Sequence, residues 1–272
     1  MNIQLAAHAL HAGILCIPGI IVGAFLKAAV FRPMGISPRH RLVEGATGIL
    51  WAAAGWRWAG MTHGTYVNIA IGLVELAFLS SLVVIFLVDW KRMIIPDETS
   101  LGGLAASLLL SPLLPHLHYA DSGIAFAARH PFLNVLLGDA PAWLRGVSAS
   151  CAGALAGLLF SLFVYTLGNA AFNRRIEKAR KNNPEIDSAL GLGDVKLMAF
   201  FGAFLGWRAV FVIFLVGSIV GAATGIVIKL RRGDSAGGHG WRGMRNRWNS
   251  GSSVLPFGPF LAAGALAAFF MH

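Results

Sequence analysis

A chain of 272 residues with 56% hydrophobic and only 12% charged residues is not a soluble globular domain, because those carry about a quarter charged residues. Mean hydropathy is +0.68, and several apolar runs approach or exceed the roughly 18 residues that cross a bilayer. The net charge of +10 would suit a nucleic-acid ligand in a soluble protein, but here its distribution along the chain assigns it to membrane topology.

Residues 1–10 lack a basic segment, and the first apolar stretch runs on to Phe31 without a small-residue cleavage pattern. It therefore reads as a retained first helix, not a signal peptide. Apolar run length predicts eight helices, near 5–31, 41–60, 66–89, 98–116, 143–171, 194–206, 208–230 and 254–271. The sixth is short and interrupted by Gly202 and Gly206, the kind of segment that sits beside a site within a membrane protein. The fold class is all-α: a polytopic transmembrane helical bundle of about eight helices, expected to form one integral membrane domain over residues 1–272.

The outer segment of about 117–142, with His116, His118, Asp121, His130 and Asp139 in and beside it, reads as a loop with scattered solvent-facing histidines, not as a metal site. The segment 231–253, rich in Gly, Ser, Arg and Trp, reads as a flexible stretch at the membrane surface. Spaced glycines at Gly153/Gly157 and Gly217/Gly221/Gly225 predict close helix packing. Cys16 and Cys151 lie in apolar segments without a CxxC neighbour and read as small buried hydrophobes.

Eighteen of the 22 Lys and Arg residues follow helices one, three, five and seven, while only Arg57, Arg129, Arg145 and Arg208 fall on the other side. The positive-inside rule places the richer side in the cytoplasm and both chain ends outside it. The basic excess then reflects topology and contact with anionic lipid, with no nucleic-acid partner. The same assignment brings Asp89, Asp97 and Asp194 to one cytoplasmic face.

Acidic groups are costly at a hydrocarbon boundary, so those two apolar runs draw attention to Asp89 and Asp194. Asp89 ends the third run, and Pro96 forbids simple helical continuation beyond it. Two readings stand for Asp89 from its own segment: access to water and substrate at a helix break, or pairing with Lys91 or Arg92 at headgroup level. Asp194 follows Gly191 and Gly193, whose missing Cβ atoms permit close approach. It too has a second reading, as the N-cap of the sixth helix. Taken together, the two carboxyl groups suggest acid–base hydrolysis: adjacent carboxyls share a proton, so one activates water while the other donates to the developing oxyanion. The nine histidines show no HExxH spacing. The alternative is a transporter that uses the two aspartates to relay protons or bind a cation. It predicts acids near the midplane and an internal repeat, and neither is evident.

Asp89-Trp90-Lys91-Arg92-Met93-Ile94-Ile95-Pro96-Asp97 and Gly191-Leu192-Gly193-Asp194-Val195-Lys196-Leu197 resemble the two aspartate motifs of the type IV prepilin peptidases, membrane aspartyl proteases of the GxGD class. Further likeness lies at Gly23-Ala24-Phe25-Leu26 with Phe31-Arg32-Pro33, at Pro38-Arg39-His40-Arg41-Leu42-Val43-Glu44, and at Leu255-Pro256-Phe257-Gly258-Pro259-Phe260, in the family's order. The resemblance implies that Asp89 and Asp194 are the catalytic pair. It implies removal of a short basic leader from prepilins or pseudopilins at the cytoplasmic face of the bacterial inner membrane, for a type IV pilus or type II secretion system. Glu44, Asp97 and Lys196 fall on recurrent family positions with supporting or substrate-binding roles, beside Pro96, Gly191 and Gly193. Two departures concern methylation: residues 32–40 are a short link without the cysteine-containing insertion, and the family's Gly-Ser-Phe-Leu-Asn ends here in Lys27. Protease function therefore transfers by resemblance, while methylation of the new N-terminus is left in question. Proteolysis is expected to need no cofactor, and S-adenosylmethionine enters only if methyl transfer is retained.

Overall fold

The computed structural model describes residues 3–36, 41–58, 65–118, 123–182, 191–230 and 256–271, and these are all-α. The helices are α1 (Ile3–Leu26, continued by a π-helical turn Lys27–Phe31), α2 (Leu42–Trp58), α3 (Thr65–Arg92), α4 (Asp97–Leu110), α5 (Gly123–Arg129), α6 (Pro131–Leu137), α7 (Ala142–Asn182), α8 (Leu192–Leu205), α9 (Trp207–Leu230) and α10 (Gly258–Met271), with a 3-10 turn at Pro115–His118. The all-α expectation is met among the described residues. Four stretches, Ala6–Phe31, Ile69–Arg92, Ala142–Ala171 and Trp207–Ile228, are long and apolar enough to cross a membrane, and α10 is apolar but shorter. The chain is a multi-pass membrane protein.

Two expectations are corrected. The segment 117–142 is not a loop, since it holds α5 and α6, and Pro131 starts α6 at a position where its missing N–H costs nothing. Its histidines are not solvent-facing either, because His118 and His130 are buried. The expected surface segment 231–253 lies outside the described residues, as do Pro38, Arg39 and His40.

The chain divides into two compact units, Met1–Cys151 and Ala152–His272. In the first, α1 and α2 pack backbone to backbone. A Cβ on Gly19 would lie 2.8 Å from Trp51 Cβ, and one on Gly55 would lie 2.7 Å from the His11 carbonyl oxygen. A Cβ on Gly23 would collide with Thr47 Oγ1. The long α3 lies against them, tied by Trp51 Nε1–H donating to Ser80 Oγ at 3.1 Å. Phe31, Ile36, Val43, Val83, Val84 and Val88 form a buried apolar cluster around the lower end of α3.

In the second unit, Gly153 and Gly157 of α7 meet the carbonyls of Gly202 and Met198 on α8. Gly217 of α9 meets Phe260 of α10, where a Cβ would lie 3.0 Å from the carbonyl oxygen. The small-residue spacing thus does what close helix packing requires. Phenylalanine rings fill the remaining space: Phe160 stands edge-on to Phe211 and Phe214, with centroids 5.2 Å away in each case. Gly206, at φ 85°, makes the tight reversal between α8 and α9 that a side chain would strain. Almost every residue of α8 from Asp194 to Leu205 is buried, with Lys196 half-buried.

Candidate functional site

Asp89 does not end its helix. It lies in the last turn of α3, which runs on through Lys91 and Arg92, cations suited to the negative end of the helix dipole. The Asp89 side chain is buried, and its carbonyl accepts the Met93 N–H at 2.8 Å. Met93 then turns left-handed, at φ 57°, a conformation usually left to glycine and costing about 1 kcal/mol for other residues. Arg92 donates to the Met34 carbonyl and so ties this corner to the end of the first helix. After the break, the buried Pro96 is the N-cap of α4, and its carbonyl accepts from the Thr99 hydroxyl at 2.8 Å. Asp97 is exposed in the first turn of α4 beside Glu98, two negative charges at the positive end of that helix.

Asp194 is not the N-cap of its helix, because Gly191 holds that place and Asp194 stands at the third helical position. The Gly191 N–H donates to Asp194 Oδ2 at 3.2 Å, and the Asp194 N–H donates to the Gly191 carbonyl at 3.1 Å. This is half of a capping box, since glycine has no side chain to return the bond. Gly191 has an ordinary φ of −71°. Its value is space: a Cβ there would lie 3.2 Å from Asp194 Oδ2. Gly193 also lacks a positive φ, so neither glycine is needed for backbone freedom.

Glu44, in the first turn of α2, is held by Lys27, with Nζ 3.1 Å from Oε1. Its other oxygen, Oε2, is buried without a hydrogen-bond partner among the described residues. Asp89, Pro96, Asp97 and Glu44 belong to the first compact unit, and Gly191, Gly193, Asp194 and Lys196 to the second. Among the described residues, no group of three or more His, Cys, Asp or Glu side chains is arranged to hold a metal ion.

Sequence reading missed a third buried acid, Glu75, in the apolar body of α3. Trp58 Nε1–H donates to Glu75 Oε2 at 2.6 Å, and Arg57 faces Oε1 at 4.0 Å. The signal was available: a lone carboxylate inside an apolar run calls for a partner, and an Arg-Trp pair ends the preceding helix. Fourteen residues of helix separate Glu75 from Asp89, or about 21 Å along the axis.

A groove of about 670 Å³ opens in the first unit, walled by Val22, Leu26, Val30, Leu76 and Val84 and edged by Glu98 and Thr99. Val84 lies five residues before Asp89 on the same helix, about 7.5 Å along its axis.

The pattern of the type IV leader peptidase family matches residues 76–226, a stretch that holds both Asp89 and Asp194. The chain belongs to that family. Its similar proteins include the prepilin leader peptidase/N-methyltransferase of Burkholderia pseudomallei (strain 1026b), 38% identical over 122 residues, covering 45% of this chain and 30% of that protein. The protein of the same description from Pectobacterium carotovorum subsp. carotovorum is 29% identical over 238 residues, covering 87% of this chain and 62% of its own length. That from Aeromonas hydrophila is 30% identical over 239 residues, covering 85% and 58%. This leader peptidase family member thus spans less than two thirds of the curated relatives it matches. No solved structure matches it. The comparisons lend no support to the transporter alternative.

Proposed function

We propose that the protein is a membrane aspartyl endopeptidase that removes the short basic leader from type IV prepilins or pseudopilins, with Asp89 and Asp194 as its catalytic pair. One observation carries the reading: among the described residues, the stretch matched by the leader peptidase family contains two buried aspartates, Asp89 in the last turn of α3 and Asp194 in the first turn of α8. The first-turn position and the Gly191 N–H favour negative charge on Asp194. Asp194 therefore serves as the base, taking a proton from the water that attacks the scissile carbonyl carbon. Asp89, in its protonated form, donates to the carbonyl oxygen as the carbonyl carbon becomes tetrahedral. Collapse of the intermediate breaks the C–N bond as Asp89 takes back a hydroxyl proton and the proton held on Asp194 passes to the leaving amine, leaving the new carboxylic acid.

The remaining residues support this pair. Gly191 orients Asp194, and Pro96 sets the start of α4 so that Asp97 and Glu98 present negative charge to a basic leader. Gly193 leaves room in the same turn, and Lys196, one turn from Gly193, is a supporting residue of α8. Glu44, already engaged by Lys27, has a structural role. The apolar groove edged by Glu98 and Thr99 suits the first apolar residues that follow a leader. The whole chain works as one peptidase domain in the bacterial inner membrane, among lipids, with about eight crossings, both ends outside and the site facing the cytoplasm. The substrates belong to a type IV pilus or type II secretion system.

S-adenosylmethionine, which methyl transfer would need, meets an unfavourable charge pattern for its sulfonium in α1 and α2. Its sulfonium is cationic, and the acid available there, Glu44, is paired with the Lys27 ammonium, which would repel it. Proteolysis is proposed without a cofactor, and S-adenosylmethionine enters only if methyl transfer is retained.

The test is co-expression of a candidate prepilin with the parent, Asp89→Asn or Asp194→Asn. Leader removal is expected from the parent alone, with all three proteins inserted in the membrane. Undiminished cleavage by either variant overturns the pairing.

A further inference from the structure

Helices α5 and α6 are built the wrong way round for water. Their outward residues are Ile124, Phe132, Val135 and Leu136, which are 86%, 85%, 84% and 81% exposed. Phe132, Val135 and Leu136 share one face of α6 by their spacing of three and four residues. Polar groups lie beneath: His118, His130 and Arg145 are 3%, 5% and 8% exposed. Arg145 reaches under the helices, with its guanidinium 5.6 Å from the Phe126 ring centre and NH1 donating to the Gly138 carbonyl at 3.2 Å. Phe126 and Ala149 are fully buried, with Leu133 packed on them, so α5 and α6 are docked on the start of α7.

Covalent geometry says what medium surrounds that outward face. The apolar membrane-crossing stretch of α7 begins at Ala142, five residues after Leu137 ends α6. Five residues reach at most about 17 Å, so α6 cannot leave the vicinity of the membrane boundary. Trp143, 53% exposed at the first turn of α7, is placed as interfacial tryptophans are. Between Gly123 and Ala140, the only charged residues are Arg129 and Asp139. Arg129 is half-buried, and Asp139 is exposed just beyond the end of α6.

We infer that α5 and α6 lie in the membrane interface at the end of α7, with Ile124, Phe132, Val135 and Leu136 seated in the boundary between lipid headgroups and acyl chains. The occupant of this face is lipid. The two short helices form a collar that continues the lipid-facing surface of α7 sideways, with the buried His and Arg groups as its polar underside.

The experiment uses the full chain with Cys16 and Cys151 replaced by alanine, in nanodiscs of phosphatidylethanolamine and phosphatidylglycerol. An environment-sensitive dye is attached at Leu136→Cys and, separately, at Asp139→Cys. Lipids carrying a nitroxide high on the acyl chain should quench the Leu136 label about threefold more than lipids with a deep nitroxide, as expected for a helix about 5–10 Å below the surface. Aqueous iodide should quench the Asp139 label and spare the Leu136 label. Equal iodide quenching at both sites, without lipid quenching, places the face in water and overturns the inference. Shielding of Leu136 from both quenchers places protein over it, a second copy or another partner, and also overturns the inference. Both labelled proteins must elute like the parent, and Val135→Cys provides a second position on the same face if Leu136→Cys does not.

Discussion

The Gly191 N–H donates to Asp194 Oδ2 across 3.2 Å, so the carboxylate is tied to the turn from which its own helix starts. The chain that follows cannot rotate that oxygen away without breaking the bond. Gly191→Ala has a compatible φ of −71°, but its Cβ would lie 3.2 Å from the same oxygen, and one of the two must yield. The expected result is a fall in leader cleavage of about tenfold, the order of one hydrogen bond to a charged group. The thermal midpoint should move by only about 2 °C, because helix packing is untouched. A parallel loss of stability and cleavage would make Gly191 a folding residue instead.

Glu75 tests whether a buried carboxylate outside the proposed site is structural. Glu75→Leu removes the acceptor of the Trp58 N–H and the carboxylate facing Arg57, both in a part-buried setting. It should destabilise the protein by about 3 kcal/mol. Glu75→Gln keeps an acceptor for Trp58 and should cost about 1 kcal/mol. Thermal unfolding in detergent measures both. Cleavage per folded molecule should be unchanged in each, since Glu75 stands about 21 Å along α3 from Asp89.

Much of this was legible from residues, and the misses share a cause. Asp89 and Asp194 were visible because an acid beside a turn interrupts an apolar run at its edge. Glu75 escaped notice because its partners, Arg57 and Trp58, belong to another helix and pair with it only after folding. Hydropathy marks where apolar character stops, not where hydrogen bonding stops. Hence α3 continues past Asp89 to Arg92 and α7 runs to Asn182, through Arg174, Arg175, Glu177 and Lys178, which are polar but good helix formers. The 117–142 segment looked like a loop because seven-residue helices carry too few turns for a periodic signal. Gly153 and Gly157 announced a close approach, but only the fold supplies Gly202 and Met198 opposite them.

That close approach predicts an asymmetry between glycines of the same chain. Gly153→Ala places a Cβ against the Gly202 carbonyl, a backbone group with no rotamer to move. It should destabilise the protein by about 2–3 kcal/mol, as overpacking does. Gly102→Ala, within α4, meets nothing within 4 Å. It should stabilise the protein by about 0.5–1 kcal/mol through reduced backbone freedom in the unfolded chain. Thermal midpoints moving in opposite directions are the expected result, and equal shifts would refute the packing assignment.

The Lys27–Glu44 pair decides between a structural and a substrate-binding role for Glu44. Nζ lies 3.1 Å from Oε1, with the two side chains 24% and 15% exposed, and Oε2 is buried without a partner among the described residues. Lys27→Met would leave a mostly buried carboxylate with no cation beside it, so it should destabilise by about 1–2 kcal/mol. Removing both charges, as Lys27→Met with Glu44→Leu, eliminates the stranded group and should restore at least half of that loss, because the penalty belongs to the unpaired charge and not to the missing contact. A structural pair predicts that the double variant, once folded, cleaves a prepilin at the parent rate. A pair that contacts the basic leader predicts the opposite: the double variant is stable, yet its KM for the substrate rises severalfold with kcat preserved, since an interaction made equally in ground and transition states has been lost. Measuring unfolding and the KM–kcat split on the same preparation separates the two outcomes.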